Sequence, residues 1–149
     1  MTLEMLPKVS VIDALRRNGF KATPQRIAIC NFALGSRNHP TVQEIYREVK
    51  KVYPTVSLTT VYKTLQVLKQ LHLIQELAFS GGERFDSYME PHINVMCVRC
   101  GEVLDINDHS VRDMVDRVAA KTKYTFTERR FDIYGICAKC KEKRKRMSG

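Results

Sequence analysis

The chain has 149 residues, enough for one ordinary domain or two small ones, and 44% are hydrophobic, which permits a real core and excludes wholesale disorder. Lysine and arginine number 25 against 16 aspartate and glutamate, a net charge of +9 that attracts polyanions, of which nucleic acid is the commonest. No apolar run is long enough to span a bilayer and no charged-then-apolar leader precedes the first element. The sequence therefore reads as a soluble, cytoplasmic protein with no membrane partner.

Residues 8–18 place Val9, Ile12 and Leu15 at helical spacing, with Gly19 as the stop. Thr23-Pro24 opens a second helix, Thr as N-cap and Pro at the first position, which runs to Leu34 and stops at Gly35. Thr41 and Glu44 form a capping box for a third helix, which reaches about Val52 before Pro54. The fourth covers Ser57 to Lys69. Its apolar stripe is Leu58, Val61, Leu65 and Leu68, and its other side shows Thr59, Thr60, Tyr62, Lys63, Gln66 and Lys69.

Leu73 to Phe79 alternates as a strand does, Ser80-Gly81-Gly82-Glu83 is a hairpin turn, and Arg84-Phe85-Asp86 begins the return strand. Short helices followed by a small hairpin outline a winged helix-turn-helix module, whose last helix enters the DNA major groove while the wing lies along the backbone. The polar face of the fourth helix suits that use. Hydroxyls and lysines bind phosphates, and Tyr62, Thr59 and Thr60 reach base edges or thymine methyls.

Tyr88 to Pro91 reads as a linker. Beyond it come strands over His92 to Met96 and Glu102 to Ile106, then a helix over 108–121 with Val111, Met114, Val115, Val118 and Ala119 on one face. A last strand runs from Thr125 to Ile136, and the basic run Lys139 to Arg146 reads as a solvated, frayed end. A layer this thin buries one face at most, so it is expected to complete its core by pairing with a copy of itself.

Two Cys-x-x-Cys pairs, Cys97/Cys100 and Cys137/Cys140, organise this second half. Each pair reaches one tetrahedral ion from a tight turn, and together they supply the four thiolates of a closed structural Zn²⁺ site. Disulfides or a redox Cys-x-x-Cys motif are the competing reading, and no secretory or thioredoxin-like context supports either. Cys30, among Ile27, Ile29, Phe32 and Leu34, reads as plain core.

A second cluster is scattered. His39 precedes Pro40 and is expected in extended chain, Asp86 ends the wing, His92 follows the linker and Asp105 ends a strand. Imidazole and carboxylate suit Fe²⁺, Mn²⁺ or Zn²⁺. Were the four to converge, the ion would tie the N-terminal module to the zinc subdomain and favour one orientation of the two. His72 and His109 have no such supporting neighbours.

Taken in order, Thr23-Pro24-Gln25-Arg26, His39-Pro40-Thr41, Ser57-Leu58-Thr59-Thr60-Val61-Tyr62, Arg84-Phe85-Asp86, both knuckles and Ile133-Tyr134-Gly135-Ile136-Cys137 resemble the ferric uptake regulator (Fur) superfamily, from about residue 10 to Cys140. The resemblance implies a homodimeric, metal-dependent transcriptional repressor that binds double-stranded operator DNA, and not an enzyme. Its fold would be α+β: a winged helix-turn-helix domain over 1–86, a hinge over 87–91 and an α/β dimerisation domain with a four-cysteine zinc site over 92–149, ending in the basic tail. The fourth helix becomes the recognition helix, and the DNA-contacting set becomes Ser57, Thr59, Thr60, Tyr62, Lys63 and Arg26.

Within the superfamily the chain is most similar to the peroxide-responsive PerR branch, which binds Fe²⁺ or Mn²⁺ through three histidines and two aspartates. By that resemblance His39, Asp86, His92 and Asp105 are regulatory ligands, and aspartate rather than glutamate at 86 points to peroxide sensing. In that branch bound Fe²⁺ reacts with hydrogen peroxide and the ligand histidines are oxidised, positions occupied here by His39 and His92. The remaining ligand position holds Asn94 where the branch has histidine, a neutral replacement with a weaker donor. The alternative expectation is a Fur-type repressor responding to iron, manganese or zinc without peroxide sensing.

Overall fold

The computed structural model describes residues 8–77 and 82–149, which divide into two compact units between Met89 and Glu90. In the first unit the helices are α1 (Lys8–Arg17), α2 (Pro24–Gly35), α3 (Val42–Val52) and α4 (Leu58–Gln70), followed by β1 (Gln75–Leu77) and β2 (Arg84–Asp86). The second holds β3 (Ile93–Cys97), β4 (Val103–Ile106), α5 (His109–Thr122), β5 (Phe131–Gly135) and α6 (Ala138–Met147). The fold is α+β, a winged helix-turn-helix unit followed by an α/β unit. Among the described residues no helix is long and apolar enough to cross a membrane.

Helix starts in the first unit follow their caps. Thr23 Oγ1 accepts from Arg26 N, and the Thr41/Glu44 capping box is closed in both directions. Ser57 Oγ accepts from Thr60 N at 3.1 Å, which fixes the start of α4. Leu15, Ile29, Ile45, Val61, Leu65, Leu68 and Phe85 share one core. Leu15 is buried in it as expected, but its companion on α1 is Val11, Ile12 being only half-buried. The side chain of Val9 lies outside the described residues.

The hairpin starts later than expected: β1 begins at Gln75 and not Leu73, and pairs antiparallel with β2 from Gln75↔Asp86 to Leu77↔Arg84. Ala78, Phe79, Ser80 and Gly81, which complete the expected strand and turn, lie outside the described residues. Beyond the hairpin, Phe85 N donates to Pro40 O at 3.0 Å and Thr41 bridges Arg84, so β2 also pins the segment that enters α3.

In the second unit the sheet order is β4-β3-β5, with β4 antiparallel and β5 parallel to β3. The expected Thr125 start of the last strand is not observed. Pairing begins at Ile93↔Phe131 because β3 itself begins there, and the polar, exposed residues before Phe131 have no strand to pair with. The basic tail is not frayed but forms α6, with Cys137 at its N-cap. Its lysines, arginines and glutamate are good helix formers, and Arg144, Lys145 and Arg146 in the last turn oppose the helix dipole favourably. On α5 the expected apolar face is split, with Val111 and Val115 buried and Met114 and Val118 exposed.

Candidate functional site

The parallel pairing of β3 with β5 brings the two cysteine knuckles together. Both strands run the same way and end in register at Cys97↔Gly135, so the chain leaves them side by side, first into Cys97–Cys100 and then into Cys137–Cys140. Cys97 N donates to Glu102 O at 2.9 Å and Gly101 N to Cys97 O at 3.0 Å, which closes the first turn. Gly101 completes that turn at φ +78°, where a side chain would be strained. Val98 N donates to Gly135 O at 2.9 Å and ties this turn to the end of β5.

The four sulfurs all lie within 4.8 Å of one another. Cys100 Sγ and Cys137 Sγ are 3.7 Å apart, far beyond a disulfide bond. That spacing matches the tetrahedron edge of about 3.8 Å implied by Zn–S bonds of about 2.3 Å. The backbone N–H of Cys100, then that of Cys137, hold the Cys97 thiol down to about 6. Cys140, hydrogen-bonded to the Cys137 sulfur and then desolvated, is pushed up to about 12. Cys97 is thus poised as a thiolate, the form that binds a cation. Cys30 is wholly buried in the other unit, and burial pushes its thiol up to about 12, as befits core rather than a nucleophile.

Histidine and carboxylate side chains of the candidate ligand set occur in both units. In the first, His39 and Asp86 are both buried, with His39 Nε2 4.0 Å from Asp86 Oδ1. Asp86 Oδ1 also accepts from Tyr88 N at 2.9 Å. His39 is not in extended chain as its position before proline predicts. Its φ is +50°, a left-handed conformation held by Arg84, whose Nη1 donates to His39 O at 2.9 Å.

In the second unit β-sheet register lines up Asp105, Asn94 and Asp132 on one face, from β4 across β3 to β5. His92, also buried, is fixed by Nδ1 donating to Glu90 O at 2.7 Å, since a carbonyl only accepts. Its Nε2 lies 3.2 Å from Asn94 Oδ1 and 3.7 Å from Asp105 Oδ1. Asn94 Nδ2 donates to Asp132 Oδ1 at 3.2 Å, and Arg130 Nη2 donates to Asp132 Oδ2 at 2.8 Å. Asp132 was not visible as a site residue in the sequence, because only the strand register sets it beside Asn94.

On α4 the residues Thr59, Tyr62, Lys63 and Gln66 are exposed, Tyr62 at 42% despite its aromatic ring. The hydroxyls of Ser57 and Thr60, 2.8 Å apart, are bonded to each other at the cap, so this pair serves the helix start as well as the surface. Arg26 is half-buried and its Nη1 donates to Lys21 O at 2.8 Å, bracing the turn before α2.

Residues 17–134 match the family described as Ferric uptake regulator family. A peroxide-responsive repressor PerR of Staphylococcus saprophyticus is 35% identical over 133 residues, 89% of this chain and 90% of that one. Among solved structures, the peroxide stress regulator of Campylobacter jejuni has 32% identity and a TM-score of 0.70, covering 87% of this chain and 98% of the other. The ferric uptake regulator of Helicobacter pylori reaches a TM-score of 0.75 at 22% identity, covering 92% and 95%, which is a likeness of fold.

Proposed function

Because this chain belongs to the ferric uptake regulator family, we propose that it is a homodimeric repressor that holds operator DNA while a regulatory Fe²⁺ or Mn²⁺ is bound and releases it when peroxide oxidises ligand histidines. Membership makes it a metal-responsive transcriptional repressor and not an enzyme. The peroxide-responsive character of its curated relatives supports the sensing chemistry.

The observation that carries the reading is the burial of His39, Asp86, His92 and Asn94, none above 4% exposed. Shielding such groups from water is unfavourable without compensation, and a divalent ion supplies it. With neutral His39, His92 and Asn94, the carboxylates of Asp86 and Asp105 balance the two charges of the ion. Oxidation consumes hydrogen peroxide, adds one oxygen to an imidazole and leaves water, and the damaged ring no longer binds the ion. Cys97, Cys100, Cys137 and Cys140 hold a structural Zn²⁺ that takes no part in sensing.

DNA contact falls to the exposed face of α4, with Tyr62, Thr59 and Lys63 foremost, and with Ser57, Thr60 and Arg26 at its margins. The second protomer covers the apolar sheet face and the exposed side of α5 in the C-terminal unit. Such a regulator works in the cytoplasm, where the DNA is.

The test is mass spectrometry of the Fe²⁺-loaded protein before and after mild peroxide, alongside binding to a duplex selected by the protein from random DNA. One oxygen added at His39 or His92 with loss of DNA binding is the expected result. DNA affinity unchanged by chelation of the regulatory ion would sink the switch. A second reading, a metal sensor indifferent to peroxide, is favoured by Asn94 alone. It predicts ion-dependent DNA binding with no oxygen added.

A further inference from the structure

An asparagine can face a metal with either end of its amide, and the two ends differ in kind: the oxygen is a ligand and the NH₂ is not. In this chain the choice is made by Asp132. The Asn94 NH₂ donates to Asp132 Oδ1, and a carboxylate only accepts, so turning the amide over would set oxygen against oxygen. Asn94 is 1% exposed and has no solvent to absorb that change. Asp132 is in turn held from its other oxygen by Arg130.

The remaining end, Asn94 Oδ1, therefore faces His92 Nε2. Because His92 Nδ1 donates to Glu90 O, the Nε2 atom presents a lone pair to Asn94 Oδ1 and Asp105 Oδ1. Three lone-pair atoms converge, one nitrogen and two oxygens, and a cation is what such a convergence suits.

We propose that Asp132 is a positioning residue for the regulatory ion: it locks the Asn94 amide so that the side-chain oxygen is a ligand, giving an oxygen-weighted site suited to Mn²⁺. The inference rests on the regulatory site proposed above and adds to it the residue that makes asparagine serviceable there. Carbonyl and carboxylate oxygens suit Mn²⁺, whereas an added imidazole would draw the site toward Zn²⁺ and Fe²⁺.

The experiment titrates Mn²⁺ alone into the full-length, zinc-loaded chain and follows free Mn²⁺ by electron paramagnetic resonance. Retained zinc and an unchanged circular dichroism spectrum check that each variant is folded. Asp132→Ala, which removes the acceptor, is expected to weaken Mn²⁺ about 10- to 100-fold, the range for a lost outer-shell partner. Asp132→Glu, which keeps an acceptor, should recover most of that loss even if Asn94→Ala proves hard to fold. In an Asn94→Ala background Asp132→Ala should have no further effect, because no amide remains to orient.

A loss of equal size with and without Asn94 would overturn the proposal, since Asp132 would then act through its charge. Unchanged affinity in Asp132→Ala, in a protein whose Mn²⁺ binding is abolished by His92→Ala, would overturn it while leaving the regulatory site standing. Absence of any saturable Mn²⁺ site sensitive to His92→Ala would overturn both.

Discussion

In the N-terminal unit Leu15, Ile29, Ile45, Leu65 and Leu68 are completely shielded, packed between four helices and a hairpin. In the C-terminal unit Met96, Val111 and Val115 are buried, while Leu104, Ile106, Met114, Val118 and Ile133 remain between 38% and 53% exposed. Leu104 and Ile133 flank Val95 in register and Ile106 pairs with Ile93, so these side chains share one sheet face. The two units therefore solve the same problem differently. One closes its own hydrophobic core, and the other gathers four sulfurs at the end of a thin sheet and leaves an apolar face exposed, the face proposed above to meet a second copy.

The largest effect that would test this contrast is loss of zinc. Coordination of Zn²⁺ by four thiolates contributes on the order of 10 kcal/mol in small zinc modules, more than a three-stranded sheet with two helices, one of them almost wholly exposed, is expected to supply. Strong chelation, or Cys97→Ser, is expected to unfold the C-terminal unit and leave the N-terminal one intact. Hydrogen exchange of the full chain reads both at once. Protection kept in β3 and β5 of zinc-free protein would mean that the sheet is self-sufficient and the contrast is wrong.

The same division explains what was legible in the sequence. The starts of α2, α3 and α4 are written in Thr23-Pro24, Thr41 with Glu44, and Ser57, signals that act within one helical turn. The four cysteines were legible for the same reason, their spacing within each knuckle being local. What escaped depends on distant partners. The start of β5 is set by where β3 begins, and the role of Asp132 by its pairing with Asn94. The left-handed turn at His39 is set by Arg84, which is distant in sequence and overrides the bias imposed by Pro40. In α6, helix-forming residues launched from the second knuckle outweigh the tendency of a charged end to fray.

A middle-sized effect separates the apolar face from the zinc. Ile133→Asp puts a charge on the exposed sheet face without touching a sulfur. If a second protomer covers that face, two carboxylates are buried, one from each copy, at a cost of about 3 kcal/mol or more in all, and the dimer Kd rises at least roughly a hundredfold. Sedimentation should show dimer shifting to monomer with zinc content unchanged. A dimer of undiminished affinity would place the interface elsewhere and leave the exposed Leu104, Ile106 and Ile133 without an account.

The smallest effect belongs to the N-terminal unit. Thr41→Ala removes the side chain that accepts from Glu44 N at 3.2 Å, one half of the α3 capping box. The other half, Thr41 N donating to Glu44 Oε2 at 2.8 Å, uses backbone and survives the change. The expected cost is about 1 kcal/mol, confined to the thermal transition of the helical unit, with zinc content and dimer affinity unmoved. Because Thr41 lies two positions after His39 and bridges Arg84, the change also tests how firmly that segment is pinned. If β2 holds it, as the Phe85 N to Pro40 O bond implies, Mn²⁺ affinity should be nearly unaltered. A large fall in Mn²⁺ affinity from so mild a substitution would mean that the helix cap, and not the hairpin, holds His39 in its left-handed turn.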